Sequence, residues 1–384
     1  MDPDPGVDMT KQEQEQEPER EPTTATVAQA RTVALAERFP IRRIILIGLS
    51  VLITVGVVTG SWKTLTLPEG RIDGAGWRDL LVFGVALGSI YALIALGYSL
   101  VYGILLMINF AHGEVFMSGA FISFYVARTL DSNGMLDRDP IVSIAILLLV
   151  AMAVSMLVAV LLERIAYRPL RNAPRLVPLI TAIGASLFLQ YTFASFFGSD
   201  SKGYPGPKSL EGTWTILGIP IGRSLLVTIV AAVVMMVGLT QFISRTKVGK
   251  AMRAVAEDKE IASLMGIDVD RVIVTTFAVG GILAGVAGVM FALAFGFVQF
   301  NMGFVPGIKA FTAAVLGGIG SVTGAALGGL ILGVVESIGP VLLLHGIHVP
   351  APNQLRDVVA FTILVLILIF RPGGLFGTGE SDRG

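Results

Sequence analysis

The sequence holds no cysteine, three histidines and few charges, which make up only 15% of its 384 residues. Without cysteine there can be no disulfide, thiolate metal site or cysteine nucleophile. The histidines are His112, His345 and His348, and the last two are predicted on the opposite membrane side from the first, so no metal site is expected. No Gly-x4-Gly-Lys-Ser/Thr phosphate loop occurs, since Val248-Gly249-Lys250-Ala251 lacks both the spacing and the hydroxyl. Any ATP-driven step must therefore come from another chain. Formal net charge is zero and no basic domain of the nucleic-acid type is present. Outside the first 40 residues the polar segments are short, which leaves no room for a soluble catalytic domain, and nothing calls for a cofactor.

What is present is apolar: 54% of residues are hydrophobic, which excludes an ordinary soluble globule. Uncharged runs occupy 44–62, 80–108, 141–162, 176–199, 224–244, 272–308, 310–335 and 337–355, with a short one at 358–370. The fold class expected is all-α: a polytopic membrane protein with about 8–10 transmembrane segments, some of them broken or re-entrant. The 45 glycines suit helices that approach one another closely in lipid.

The run Leu80–Ile108 ends in Asn109-Phe110-Ala111-His112-Gly113-Glu114. As one helix it would reach roughly 43 Å at ~1.5 Å per residue, beyond a hydrocarbon core of ~30 Å, so a broken or strongly tilted span is expected. The uncharged stretch that follows, Val115–Ala127, is too short to cross alone, so its helix must take in His112 and Glu114 or lie inside other protein. Ionisable groups at membrane depth cost ~2.5–3.5 kcal/mol each and face a bundle interior or a water-filled path. Asn109, His112 and Glu114 are thus candidates either to cap a broken helix or to line a substrate path. Tyr91 and Tyr98, seven apart, read as packing aromatics or substrate contacts. Lys309, between two apolar stretches, either snorkels to an interface or faces a cavity. Ala92–Glu114 and Ala284–Phe311 both run apolar and Gly-interrupted into an Asn-containing break, at Asn109 and Asn301, as paired repeats of transporters do.

Basic residues order the spans. Arg31, Arg38, Arg42 and Arg43 place the N-terminus in the cytoplasm, and 163–175 and 244–271, rich in Arg and Lys, are expected on the same side. Residues 1–40, acidic and rich in Gln and Pro, read as a disordered tail without a signal peptide. To return Arg371 to the cytoplasm, 306–340 is expected to form a hairpin of two half-length or re-entrant segments, broken at Gly317-Gly318-Ile319-Gly320-Ser321. Lys250–Met265 contains no Gly or Pro and reads as one amphipathic helix ended by Gly266. Such a helix lies on the membrane surface or enters a groove on a soluble partner.

Several blocks resemble one family. They are Gly88-Ser89-Ile90-Tyr91-Ala92-Leu93, Met107-Ile108-Asn109-Phe110-Ala111-His112-Gly113-Glu114, Glu163-Arg164-Ile165-Ala166-Tyr167-Arg168-Pro169-Leu170-Arg171, Arg253-Ala254-Val255-Ala256-Glu257-Asp258 and Lys309-Ala310-Phe311-Thr312-Ala313-Ala314-Val315-Leu316-Gly317-Gly318-Ile319-Gly320-Ser321. Together they resemble the permease subunits of branched-chain amino acid ABC importers, the leucine/isoleucine/valine type, and the H-type subunit more than its M-type partner. The likeness covers roughly 78–376. It implies a transport subunit, not an enzyme, in the bacterial plasma (inner) membrane. It also implies a second permease, two cytoplasmic ATPase subunits, an extracytoplasmic substrate-binding protein and an amino acid substrate.

By the same resemblance, 245–271 couples to an ATPase through Arg253, Glu257, Asp258, Glu260, Ala262 and Gly266. Glu260-Ile261-Ala262 with Gly266 is similar to the Glu-Ala-Ala-then-Gly loop of ABC importer permeases, with Ile261 at the second position and without the usual Ile-x-Leu-Pro ending. The substrate path would run past Tyr91, Tyr98, Asn109, His112, Glu114, Asn301 and Lys309. The expected division is a tail at 1–40, an extra helix and outer loop at 41–79, and a permease domain at 80–376. A urea or short-amide permease of the same architecture, and a stand-alone secondary transporter using Glu114, are the competing readings.

Overall fold

The structure, a computed structural model, describes residues 41–66, 72–171, 173–174, 176–216, 218–371 and 373–376, with the side chains of 41–46 left out. The acidic tail and Arg175 lie outside the described residues. The chain separates into two units, 1–59 and 60–384. Of the first unit, the described part is the opening of helix α1 (Ile41–Thr66), apolar and mostly exposed.

Eight helices among the described residues are long and apolar enough to cross a membrane. They include α2 (Gly74–Leu105), α4 (Pro140–Leu162), α5 (Leu176–Phe197), α6 (Arg223–Arg245), α9 (Val269–Phe295), α11 (Val322–Leu344) and α12 (Arg356–Phe370), the last together with the turn Pro352–Leu355 that leads into it. Helix α3 (His112–Ser132) is of similar length but less apolar, and the shorter helices include α7 (Lys247–Glu257), α8 (Lys259–Leu264) and α10 (Phe304–Gly317). The fold is helical apart from two small antiparallel ladders. One pairs β1 (Lys202–Gly203) with β4 (Phe297–Val298), and the other pairs β2 (Thr213–Ile216) with β3 (Ile219–Gly222).

Three expectations are corrected. Of the two readings of the run from Leu80, the broken one is overturned: Leu80–Leu105 is an uninterrupted part of α2, which is 32 residues long from Gly74, and its glycines serve packing. The chain breaks only after Leu105, where Leu106 takes the left-handed conformation. The 306–340 hairpin is unequal: α10 has 14 residues, but α11 has 23 and is full length, the turn falling at the expected glycines. The amphipathic stretch 250–265 is two helices. Asp258 ends α7 in an extended conformation, and its carboxylate accepts from the backbone N–H of Glu260 and Ile261 to cap α8. Gly266, at φ +81°, follows as the expected C-terminal stop.

The core is a central pair, α2 against α11, running antiparallel. A methyl on Gly333 would collide with the backbone of Gly88 and Gly84, and one on Gly329 with the backbone of Ala92. Small residues four apart let the two backbones touch, which in lipid replaces the hydrophobic force as the source of association. Helix α9 adds a third layer, its Gly281 and Gly285 seated on Ser155 and Ala151 of α4. Outside this centre α4, α5, α6 and α12 turn apolar faces outward, with Leu149, Phe188, Val234 and Val365 exposed.

Two ends of the bundle follow from these pairings. One, the first face, gathers the break after α2, the 163–171 turn, α7–α8 and the 318–321 turn, where Gly320 adjoins Gly103. The other gathers β1 to β4 and the segment after α11.

Gly333→Leu is expected to force α2 and α11 apart at a cost of about 1–3 kcal/mol or more. The readout is loss of the monodisperse, detergent-solubilised peak. Gly238→Leu, where an added side chain meets open space on exposed α6, should leave that peak unchanged.

Candidate functional site

Helix α3 begins inside the bundle, not at its edge. His112, its first residue, lies against Gly97 of α2, and Gly280 of α9 adjoins the same pair. From there α3 runs to the far end, where the Ser123 and Tyr204 hydroxyls lie 3.0 Å apart. Helix α10 begins at the same depth: Gly113 and Gly303 meet backbone to backbone, and Gly307 follows on Gly113. Two helix N-termini therefore converge at the centre of the bundle, each bearing partial positive charge.

Around that meeting point stand buried polar side chains. Glu114 Oε1 accepts from Gln190 Nε2 at 2.7 Å and Ser186 Oγ at 3.2 Å, both on α5, while Oε2 has no partner and faces Gly303. The His112 ring stands edge-on to Tyr98, centroids 4.9 Å apart. His112 Nε2 and the Tyr98 hydroxyl are buried without partners. Beneath Tyr98 a cavity of about 10 Å³, one water in size, is lined by Tyr102, Met107, Ile108, Phe311, Ala314 and Ile319.

Asn109 sits in the break between α2 and α3. Its Oδ1 accepts from the Tyr167 hydroxyl at 2.5 Å, and its carbonyl accepts from His112 N to start the next helix. Tyr167 closes Glu163–Tyr167, where the end of α4 widens to a π-helical turn.

A second cluster lies away from the first. Lys309 Nζ bonds Glu336 Oε1 at 2.6 Å and Asp357 Oδ1 at 2.6 Å, and stands 5.8 Å from the centre of the Tyr91 ring. The Tyr91 hydroxyl donates to Glu336 at 3.3 Å. Four helices, α2, α10, α11 and α12, are tied by this one ammonium. Lys309 and Glu336 are buried, and a pair so placed is costly to break from one side only. Asn301 lies exposed in the turn before α10, outside both clusters.

Sequence reasoning passed over Glu336, Gln190, Ser186 and Tyr167. Glu336 was visible as the sole charge between two apolar runs, Tyr167 stood in one of the blocks that carry the family resemblance, and Gln190 carried no signal beyond its polarity.

On the first face Arg253, Glu257, Asp258 and Glu260 are exposed, and Ala262 is buried against the bundle. The apolar side chains of Ile261, Leu264 and Met265 project outward at 60%, 86% and 78% exposure. Nearby, Arg171 holds both Glu163 and Asp270, and Arg168 also holds Asp270. Partial burial, with Arg171 close by, lowers the Lys259 pKa below the usual ammonium range. Among the described residues no group of three His, Asp or Glu side chains is placed to hold a metal ion.

Against known proteins, residues 80–368 match the family described as branched-chain amino acid transport system / permease component. The chain is 45% identical to the high-affinity branched-chain amino acid transport system permease protein BraD of Pseudomonas aeruginosa, over 79% of this chain and 96% of that one. It is 43% identical to LivH, the permease protein of the same kind of system in Salmonella typhimurium, over 78% of this chain and 95% of that one. To LivH of Escherichia coli K12 it is 42% identical over the same shares.

Removing one charge of the second cluster should destabilise more than removing the pair. Lys309→Met alone, which strands the buried Glu336 carboxylate, should cost about 3–5 kcal/mol, and Lys309→Met with Glu336→Leu less, read as thermal unfolding in detergent.

Proposed function

The chain belongs to the branched-chain amino acid transport permease family and is the permease component of such an ABC transport system, and on that premise we propose that it forms part of the route by which leucine, isoleucine and valine enter a bacterial cell. It is a transport subunit and not an enzyme. In this reading a second permease completes the membrane core, two ATPase subunits bind the cytoplasmic side, and a binding protein delivers substrate from outside.

The observation that carries the reading is the meeting of α3 and α10 at the bundle centre, with Glu114, His112 and Tyr98 each keeping an unpartnered polar atom there. The route passes Tyr98, His112, Glu114 and Asn109, with Tyr91 and Lys309 nearer the outer end and Asn301 at the mouth. Most of the wall is apolar, which suits an aliphatic side chain. The few polar atoms suit the charged groups that every amino acid carries.

Orientation rests on charge. The first face carries Arg164, Arg168, Arg171, Lys247, Lys250, Arg253 and Lys259, so the positive-inside rule puts it, with the N-terminus, in the cytoplasm. There α7 and α8 present Ile261, Leu264 and Met265 to an ATPase groove, with Arg253, Glu257, Asp258 and Glu260 around them. Ala262 and Gly266 set the turn. In this reading the transport domain is 80–376; the family match covers 80–368 and leaves out α1 and the tail before it.

The test is uptake of labelled leucine into proteoliposomes that contain the second permease, the ATPases and the binding protein. ATP-dependent uptake that urea does not compete is the expected result. Competition by urea would move the cargo to small amides, and uptake without ATPases would overturn the coupling. Leu264→Asp should lower ATPase retention and uptake by about tenfold or more, as loss of a buried apolar anchor does.

A further inference from the structure

We propose that Asp270, Arg171, Glu163 and Tyr167 form a mechanical link that carries movement of α7–α8 to the break at 106–111. The inference rests on the coupling role assigned above. Each contact joins a different segment. Ile267 N donates to the Ala262 carbonyl at 3.1 Å, tying α8 to the start of α9. Asp268 caps α9, accepting from Arg271 N at 3.0 Å, so Asp270 is fixed in the first turn directly behind the docking helices.

Asp270 engages Arg168 and Arg171, and Arg171 reaches past it to Glu163, which is fully buried. One planar guanidinium thus bridges carboxylates from two segments more than 100 residues apart in the chain, with the directional hold that a fork gives and an ammonium does not. Glu163 opens the π turn that Tyr167 closes, and Tyr167 is bonded to Asn109, whose carbonyl starts α3. Asp270 and Arg168 are half-exposed, and surface pairs of that kind add little stability. Their use is better sought in coupling than in holding the fold. Lys259, beside Arg171, is the remaining cation that faces the link from α8.

The absence of cysteine supplies a direct probe, since Ile108→Cys gives this subunit a single thiol in the break. In the assembled transporter, thiol labelling at that position should change on adding a non-hydrolysable ATP analogue. With Asp270→Asn or Tyr167→Phe added, that change should vanish while ATP hydrolysis persists. Leucine imported per ATP should fall about tenfold. Asp270→Glu should restore it, and Asp270→Asn with Tyr167→Phe should be no worse than the worse single variant, as members of one link are non-additive.

Unchanged import per ATP in Asp270→Asn, additive losses in the double variant, or labelling of the parent that ignores nucleotide would each overturn the link. If the parent responds to nucleotide but imports no leucine, the link stands and the cargo assignment fails.

Discussion

Backbone contact through glycine is the constraint on which the rest of this structure depends. Where Gly84, Gly88, Gly329 and Gly333 bring α2 and α11 into contact, no side chain separates the helices. Helix α10 packs against both members of the pair, with Ala313 and Gly317 on Gly328 and Gly324 of α11 and Phe311 beside Tyr98 of α2. That packing holds Lys309 of α10 within reach of Glu336 of α11 and Asp357 of α12. A wider α10–α11 spacing would leave Lys309 or Glu336 buried without its partner, so packing and charge pairing depend on one another.

The polar centre follows from the same economy of space. An ordinary span would bury the backbone groups at both of its ends in water or headgroups. Helices α3 and α10 start where neither is available, and protein atoms must take that role. The Asn109 carbonyl starts α3, the Asn301 carbonyl accepts from Phe304 to start α10, and the two N-termini face each other across Gly113 and Gly303. A carboxylate in the first turn of α3 is electrostatically favoured there, which gives Glu114 a physical reason to occupy the middle of a membrane protein.

Much of this arrangement was readable from residues alone. Uncharged runs marked α4, α5 and α6 almost to their ends, because lipid-facing helices must be apolar all round. The glycines at 317–320 marked the turn between α10 and α11. Reading failed where a residue serves two purposes. The glycines of α2 looked like breaks because a packing glycine and a breaking glycine are the same letter. Asp258 was read through as part of one helix although an Asp before Lys-Glu is an ordinary cap signal. The second cluster was invisible as a cluster, since Tyr91, Lys309, Glu336 and Asp357 meet only through tertiary packing. The π turn at Glu163–Tyr167 left no pattern at all, being one extra residue in an otherwise helical stretch.

The depth at which α3 begins has a consequence for how the chain is made. Its first turn carries His112 and Glu114, and the side chains that satisfy Glu114, Ser186 and Gln190, come 72 and 76 residues later. When α3 leaves the ribosome it cannot partition into the bilayer as an independent span, because its anchoring partners have not yet been synthesised. It has to wait in a polar shelter, against the insertion machinery or a water-lined surface, until α5 emerges. Assembly of this protein is then ordered by when its polar partners appear, and α3 enters the membrane as the last-settled element of the first half of the chain.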